Sequence, residues 1–124
     1  MEFKIDTKST YTLITPETEV LSANLADELR QKVAEIEQTG SHNFLIDLQH
    51  CSSMDLAAVP LLQELNQHIY SKEASIVFAA PQENVLQVMK QAQLHLSINL
   101  TPSIIEAVDI ISMEVLERDL LNES

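Results

Sequence analysis

The sequence predicts an α/β fold with a central mixed sheet of four to five strands and four helices. Short apolar or β-branched segments alternate with longer segments in which apolar residues recur every three or four positions, as in amphipathic helices. The first two strand-like segments are separated only by Thr7-Lys8-Ser9, which favours an initial hairpin. Each later strand-like segment follows a helical one, which favours parallel strands joined by crossover helices.

The predicted strands cover residues 2–6, 10–14 (ended by Pro16), 44–48, 75–80 (ended by Pro81) and 94–100. The third of them, Phe44 to Leu48, is apolar throughout except for Asp47, which is typical of a strand buried on both faces. The last is a weak edge strand. Residues 17–21 are expected to be a plain connection between the second strand and the first helix.

The four predicted helices carry apolar stripes at helical spacing: Leu25, Leu29, Val33 and Ile36 in the first; Leu61, Leu65 and Ile69 in the second, which runs to about residue 70; Val85, Met89 and Ala92 in the third; and Ile104, Val108, Ile111 and Val115 in the last. Ser22 or Asn24 can cap the first helix, and Gly40 suits the left-handed turn that follows its end. In the last helix we expect Thr101 as the N-cap and Pro102 as the first helical residue.

Length and charge limit the possible functions. The 124 residues suffice for one domain, predicted over 1–124 with a core of about 2–117 and a short polar end at 122–124. A formal net charge of −12 disfavours nucleic acid and anionic bilayers as partners. One cysteine, no long apolar run and no signal-peptide core predict a cytoplasmic protein without direct membrane insertion.

The segment from the buried strand into the second helix resembles a known family. Phe44-Leu45-Ile46-Asp47-Leu48 followed by a short loop and Met54-Asp55 at a helix start is similar to the STAS domain (sulphate transporter and anti-sigma factor antagonist). The resemblance extends over about residues 2–117 and implies a STAS-like α/β fold. The family's phospho-acceptor hydroxyl falls on Ala57, its preceding serine on Leu56 and its glycine on Ala58, so the resemblance implies a missing phosphorylation switch.

Asp55 has two predicted roles, which do not exclude each other. As an N-cap it would stabilise the second helix by about 0.5–2 kcal/mol, and the family resemblance places it on the partner-facing loop. Asp47 is expected to bind loop N–H groups rather than to catalyse a reaction. Ser52 and Ser53 are the nearest hydroxyls to Ala57, but loop serines commonly bond to nearby backbone, and the sequence does not favour their phosphorylation.

The sequence offers no enzyme, cofactor or metal site. Cys51 adjoins His50, but neighbouring residues in an extended chain point to opposite faces, so the pair is poorly placed as nucleophile and base, and Cys51 is interpreted as an inert, half-buried thiol. The four histidines lack metal-ligand spacing. A single glycine excludes Gly-rich phosphate loops.

A docking surface is predicted on residues 50–57 and on the polar, mostly uncharged side of the second helix, which carries Gln63, Glu64, Asn66, Gln67 and Tyr70, because interface centres avoid dense charge. The alternative is an ordinary solvated helix face. The residues predicted to bind a partner are Ser53, Asp55, Leu56, Ala57, Ala58, Gln63 and Gln67.

The resemblance implies a non-enzymatic, bacterial regulator of transcription. In the family's best-known branch, the unphosphorylated domain binds an anti-sigma factor, a serine kinase of histidine-kinase-like ATPase fold, and frees a sigma factor. Two alternatives stay open: an accessory subunit that binds the ATPase of an ABC-type lipid transporter, and a small-molecule-sensing module. A homodimer is also compatible with the sequence.

Overall fold

The computed structural model describes residues 2–122 of the chain. Its strands are β1 (Phe3–Thr7), β2 (Thr12–Pro16), β3 (Val20–Leu21), β4 (Phe44–Asp47), β5 (Ser53–Met54), β6 (Ile76–Ala79) and β7 (Leu100–Thr101). Its helices are α1 (Ala23–Glu37), α2 (Val59–Ser71), α3 (Glu83–Gln91) and α4 (Ile104–Asn122), with short 3-10 turns at Leu56–Ala58 and Leu94–Leu96. This is the predicted α/β element order with two additional short strands, β3 and β5. Of the predicted polar end, Glu123 and Ser124 lie outside the described residues.

The main sheet is mixed and has the strand order β1-β2-β4-β6-β7. The predicted hairpin is confirmed, since β1 and β2 are antiparallel, and every other pair in this sheet is parallel. All four residues of the central strand β4 are buried, as its run of apolar residues around Asp47 predicts. β3 and β5 form a separate parallel pair.

Two helical layers cover the sheet. The larger core lies between α1, α2, α3 and one sheet face, where Phe44, Ile46 and Phe78 are buried. α4 alone packs on the opposite face, where its Ala107 and Ile111 meet Leu45, Val77 and Ala79. Among residues 2–122, no helix is both long enough and apolar enough to cross a bilayer.

Local signals set the ends of α1. The backbone N–H of Leu25 donates to Ser22 Oγ at 3.1 Å, so Ser22 rather than Asn24 is the N-cap. After the helix, Gly40 has a φ of +101°, a left-handed conformation that favours glycine, as the sequence predicts.

The predicted start of the last helix is wrong by two residues. Thr101 is not an N-cap: it belongs to β7, where its carbonyl accepts from Ala80 N at 3.0 Å. α4 therefore begins only after Pro102, and Ser103 Oγ accepts from Glu106 N at 3.2 Å. The weak edge strand predicted within 94–100 is β7, which begins only at Leu100. The residues before it are not a strand, because Leu94 and Ile98, four residues apart, both turn into the core across a 3-10 turn.

A polar cluster lies at the edge of the main sheet, beside the part of β6 that the short strand β7 does not pair with. The Tyr70 hydroxyl lies 3.3 Å from the Ile76 carbonyl oxygen and donates to Glu114 Oε1 at 2.9 Å. Ser75 also donates to Glu114, and Arg118 donates to Ser75 Oγ at 2.8 Å. Burial, with the bond to Glu114, raises the pKa of Tyr70 to about 12. This cluster connects α2, β6 and α4. Tyr70 was predicted to lie on an open docking face, and the structure places it in this cluster instead.

Candidate partner-binding surface

The loop between β4 and α2 is held against the segment that precedes α1. The N–H groups of Ser52 and Ser53 both donate to the Glu19 carbonyl, at 2.7 and 3.2 Å, and Asp55 N donates to the Leu21 carbonyl at 3.0 Å. Ser53–Met54 pairs in parallel with Val20–Leu21. These bonds give the loop a fixed base. Residues 17–21 were expected to be a plain connection, because a two-residue strand carries no periodic signal.

Asp47, the last residue of β4, binds a loop N–H group as predicted. Asp47 is buried and accepts from Gln49 N at 3.1 Å, from the Gln49 side chain, and from Thr15 Oγ1 at 3.5 Å. Its carboxylate therefore organises the turn that leaves β4, which is a structural role.

Asp55 corrects one prediction. It is exposed and stands at the N-cap of the 3-10 turn, but its side chain makes no capping hydrogen bond. Its carbonyl, rather than its carboxylate, accepts from Ala58 N at 3.0 Å. The 3-10 turn occupies the place where we expected the helix start, and α2 begins only at Val59, with Pro60 in its first turn. The Asp55 carboxylate is consequently left facing solvent.

Exposure divides the residues predicted to bind a partner. Ser53, Leu56 and Ala57 are exposed beside Asp55, and Leu56 presents 65% of its surface to solvent. Ala58 is completely buried, so its side chain belongs to the core and its predicted place on the contact surface is wrong. The exposed four residues, Ser53, Asp55, Leu56 and Ala57, are called the loop patch below.

The outer side of α2 is less open than predicted. Gln67 is exposed, but Gln63 is half-buried with its amide nitrogen 3.4 Å from Ser97 Oγ. The Asn66 side chain donates to the Ser97 carbonyl at 3.1 Å. The segment after α3 thus covers part of this face, and the part of the predicted surface that stays open is the loop patch with His50, Glu64 and Gln67.

Cys51 is more deeply buried than predicted. It has no exposed surface, whereas the neighbouring His50 is exposed. Burial, with the charge of Asp47, raises the pKa of the Cys51 thiol to about 11. Within residues 2–122, no group of three histidine, cysteine or acidic side chains is arranged to hold a metal ion.

The comparisons with known proteins agree on the fold. The family model of the STAS domain matches residues 3–107. No curated protein sequence matches the chain.

Solved structures extend this likeness to nearly the whole chain. A protein from Thermotoga maritima, assigned as an anti-sigma factor antagonist, superposes with a TM-score of 0.78 at 18% identity, covering 89% of this chain and 94% of its own. The anti-sigma factor antagonist SpoIIAA of Bacillus, in its unphosphorylated form, gives 0.70 at 15% identity over 90% of this chain and 96% of its own. The murine anion transporter Slc26a9 gives 0.67 at 21% identity, but the match covers only 18% of that chain.

The two N-caps provide a paired stability test. Ser22→Ala should lower the free energy of unfolding by about 1 kcal/mol, because it removes the bond to Leu25 N. Asp55→Ala should change it by less than about 0.5 kcal/mol, because no capping bond is lost. Urea unfolding followed by circular dichroism measures both. Equal losses in the two variants would contradict the assignment of Asp55 to the solvent-facing patch.

Cys51 should be chemically protected. At pH 8, an aromatic disulfide reagent should modify it on the order of a hundredfold more slowly in the folded protein than in urea, because burial and the raised pKa leave little accessible thiolate. His50→Ala should not alter the rate. If Cys51 instead reacted fast in the folded protein and the rate depended on His50, the two residues would act as nucleophile and base, and the interpretation of Cys51 as inert would be wrong.

Proposed function

The chain belongs to the STAS domain family, and on that premise we propose that it is a non-enzymatic regulatory module of the anti-sigma factor antagonist type. It binds its partner through the loop patch and lacks the phosphorylation switch on that surface. The partner is an anti-sigma factor, a serine kinase of histidine-kinase-like ATPase fold, in the cytoplasm of a bacterium, where binding controls transcription through a sigma factor.

The observation that carries the proposal is the loop patch itself. It combines an exposed apolar side chain, Leu56, with a small one, Ala57, at the start of α2. The hydrogen bonds to Glu19 and Leu21 hold the backbone in place before any partner arrives. A preformed loop loses little conformational freedom on binding, and a protruding apolar side chain suits a pocket on a partner.

The residue types at positions 56 and 57 support a missing switch, and Ser53, the one hydroxyl residue of the loop patch, precedes these positions. A phosphate would add about −1.5 to −2 charges at pH 7 to the patch and change the surface that a partner meets. Ala57 and Leu56 have no oxygen to accept one. Ser52 is half-buried with its hydroxyl 3.4 Å from the Glu19 carbonyl, and its N–H is bonded to the same oxygen. The proposal is therefore a module that stays competent to bind, with control exerted on its partner or its supply.

A second candidate is an accessory subunit that binds a transporter ATPase. The likeness to a domain of the anion transporter Slc26a9 supports it, because that fold is also found as part of a transport protein. Affinity purification from the native host distinguishes the two: an anti-sigma kinase supports the first candidate, and a transporter ATPase supports the second.

Leu56 should dominate partner binding. Leu56→Ala should weaken the complex with the anti-sigma factor about tenfold or more, because it removes the protruding apolar side chain of the patch. The matched control is Ile105→Ala, which truncates a side chain that is 75% exposed at the start of α4, on the other layer. Isothermal titration calorimetry measures both affinities. Equal affinities in the two variants would show that the partner does not use the loop patch.

The wild-type loop should resist phosphorylation. Incubation with an anti-sigma serine kinase and ATP should leave residues 50–60 unmodified, whereas Ala57→Ser with Ala58→Gly should accept one phosphate if the kinase docks on the patch. Ala34→Ser, a new hydroxyl on the exposed side of α1, is the control and should stay unmodified. Intact-mass spectrometry with peptide mapping reads the result. A phosphate on wild-type Ser52 or Ser53 would reveal a displaced switch and contradict the proposal.

A further inference from the structure

A second apolar surface lies on α4, across the sheet from the loop patch. Met113, Leu116 and Leu120 are 58–61% exposed and recur at intervals of three and four residues, so they form one row along the helix. This row is called the α4 seam. Large exposed apolar side chains that occur singly need no explanation, but three in one row indicate a contact surface.

The α4 seam is separate from the face of α4 that packs on the sheet. The core face is formed by Ala107 and Ile111, which are fully buried against the sheet. α4 is thus apolar on two opposite sides, whereas a helix with only one contact carries polar residues on its outer side. The outer side of α4 is built for a contact that the rest of this chain does not make within residues 2–122.

Charge around the seam identifies the kind of partner. Asp109 lies one turn before Met113 in the same row, and Glu117 and Asp119 stand on its two sides. All three are exposed. The one cationic residue of α4, Arg118, is turned away, since it donates to Ser75 Oγ at 2.8 Å. The seam is an apolar row with an acidic border.

The cations beside the end of α4 do not neutralise this border. Lys8 and Lys72 line clefts that adjoin Val115, and the cleft of Lys72 also contains Asp119. Each lysine already has a carboxylate partner: Lys8 is 3.0 Å from Asp6 and Lys72 is 3.6 Å from Glu37.

Two occupants are disfavoured by these charges. A second copy would bring two acidic borders together, and each chain carries a formal net charge of −12. An anionic bilayer would be repelled for the same reason.

The intervals from 113 to 116 to 120 match the alternating spacing with which one helix packs along another.

We propose that the α4 seam docks an amphipathic helix of a partner protein, with the apolar face of that helix on Met113, Leu116 and Leu120 and its lysine or arginine residues on Asp109, Glu117 and Asp119. The module then has two independent contact surfaces on opposite layers, the loop patch and the α4 seam. It can hold two partners at once.

The test uses fluorescein-labelled model peptides and fluorescence anisotropy with the full chain. The probe is a leucine–lysine peptide that forms an amphipathic helix. A scrambled leucine–lysine peptide of the same composition controls for charge alone, and a leucine–glutamate peptide of the same pattern controls for apolar contact alone. We expect the wild-type protein to bind the first at least about tenfold more tightly than either control.

Two pairs of substitutions separate the apolar and charged parts of the seam. Met113→Gln with Leu116→Gln should weaken binding of the leucine–lysine helix at least about tenfold, whereas Leu96→Gln, at a side chain that is 73% exposed on the other layer, should not. Asp109→Lys with Glu117→Lys should shift the preference toward the leucine–glutamate helix. Glu2→Lys with Glu35→Lys, exposed positions outside α4, makes the same change in net charge and should leave the preference unaltered.

Three results would overturn the proposal. One is equal binding of the scrambled peptide, which would mean attraction by charge alone. Another is unchanged binding by the Met113→Gln, Leu116→Gln variant. The last is a dimer in light scattering that this variant abolishes, because a second copy would then be the occupant. None of these readouts depends on the loop patch, so they leave the proposed function untouched.

Discussion

The central strand must be covered on both faces, and this requirement shapes the whole molecule. Phe44 and Ile46 point into one layer and Leu45 into the other, and all three are completely buried. Three helices share the first layer, but α4 alone supplies the second. The two layers are therefore unequal. One contains three helices that pack beside one another, and the other contains a single helix whose outer side faces solvent.

The same strand sets the position of the loop patch. Its last residue, Asp47, ends the ladder and turns the chain through bonds to Gln49. The following residues are then tied to Glu19 and Leu21 before α2 begins. Hydrogen bonds to a segment more than thirty residues earlier in the chain fix the conformation of this loop. Rigidity of a surface loop reduces the entropy that would be lost on binding, which is consistent with the contact role proposed for it.

Much of the fold could be predicted because its main signals are local. The apolar run of β4, the hairpin and the helical stripes each depend on the residue pattern within a short segment. The errors have another origin. Asp55 has the right residue type for a cap, but whether its carboxylate or its carbonyl takes the bond depends on the 3-10 turn that follows. Thr101 and Ser103 are both good caps, and only pairing with β6 decides between them.

The candidate site stays a prediction, and the sequence could indicate only part of it. Its place in the chain follows from the resemblance to a family, and the absence of a hydroxyl at Ala57 can be seen in the sequence. Its true extent depends on tertiary contacts: the burial of Ala58 and the cover that Ser97 gives to Gln63 and Asn66. The short pair β3 and β5 joins segments far apart in the chain, and no local pattern marks it.

The polar cluster around Tyr70 has a consequence for colloidal behaviour. Because β7 pairs with only the last two residues of β6, the Ile76 carbonyl would otherwise be an open acceptor at the border of the sheet, where another chain could add a strand. The Tyr70 hydroxyl, which donates to Glu114 and accepts from Asn99, lies 3.3 Å from that oxygen and covers it. The opposite border, β1, carries Lys4 and Asp6, charges that resist stacking. Both borders are thus protected against intermolecular strand addition, which closes one route by which copies of the chain could associate.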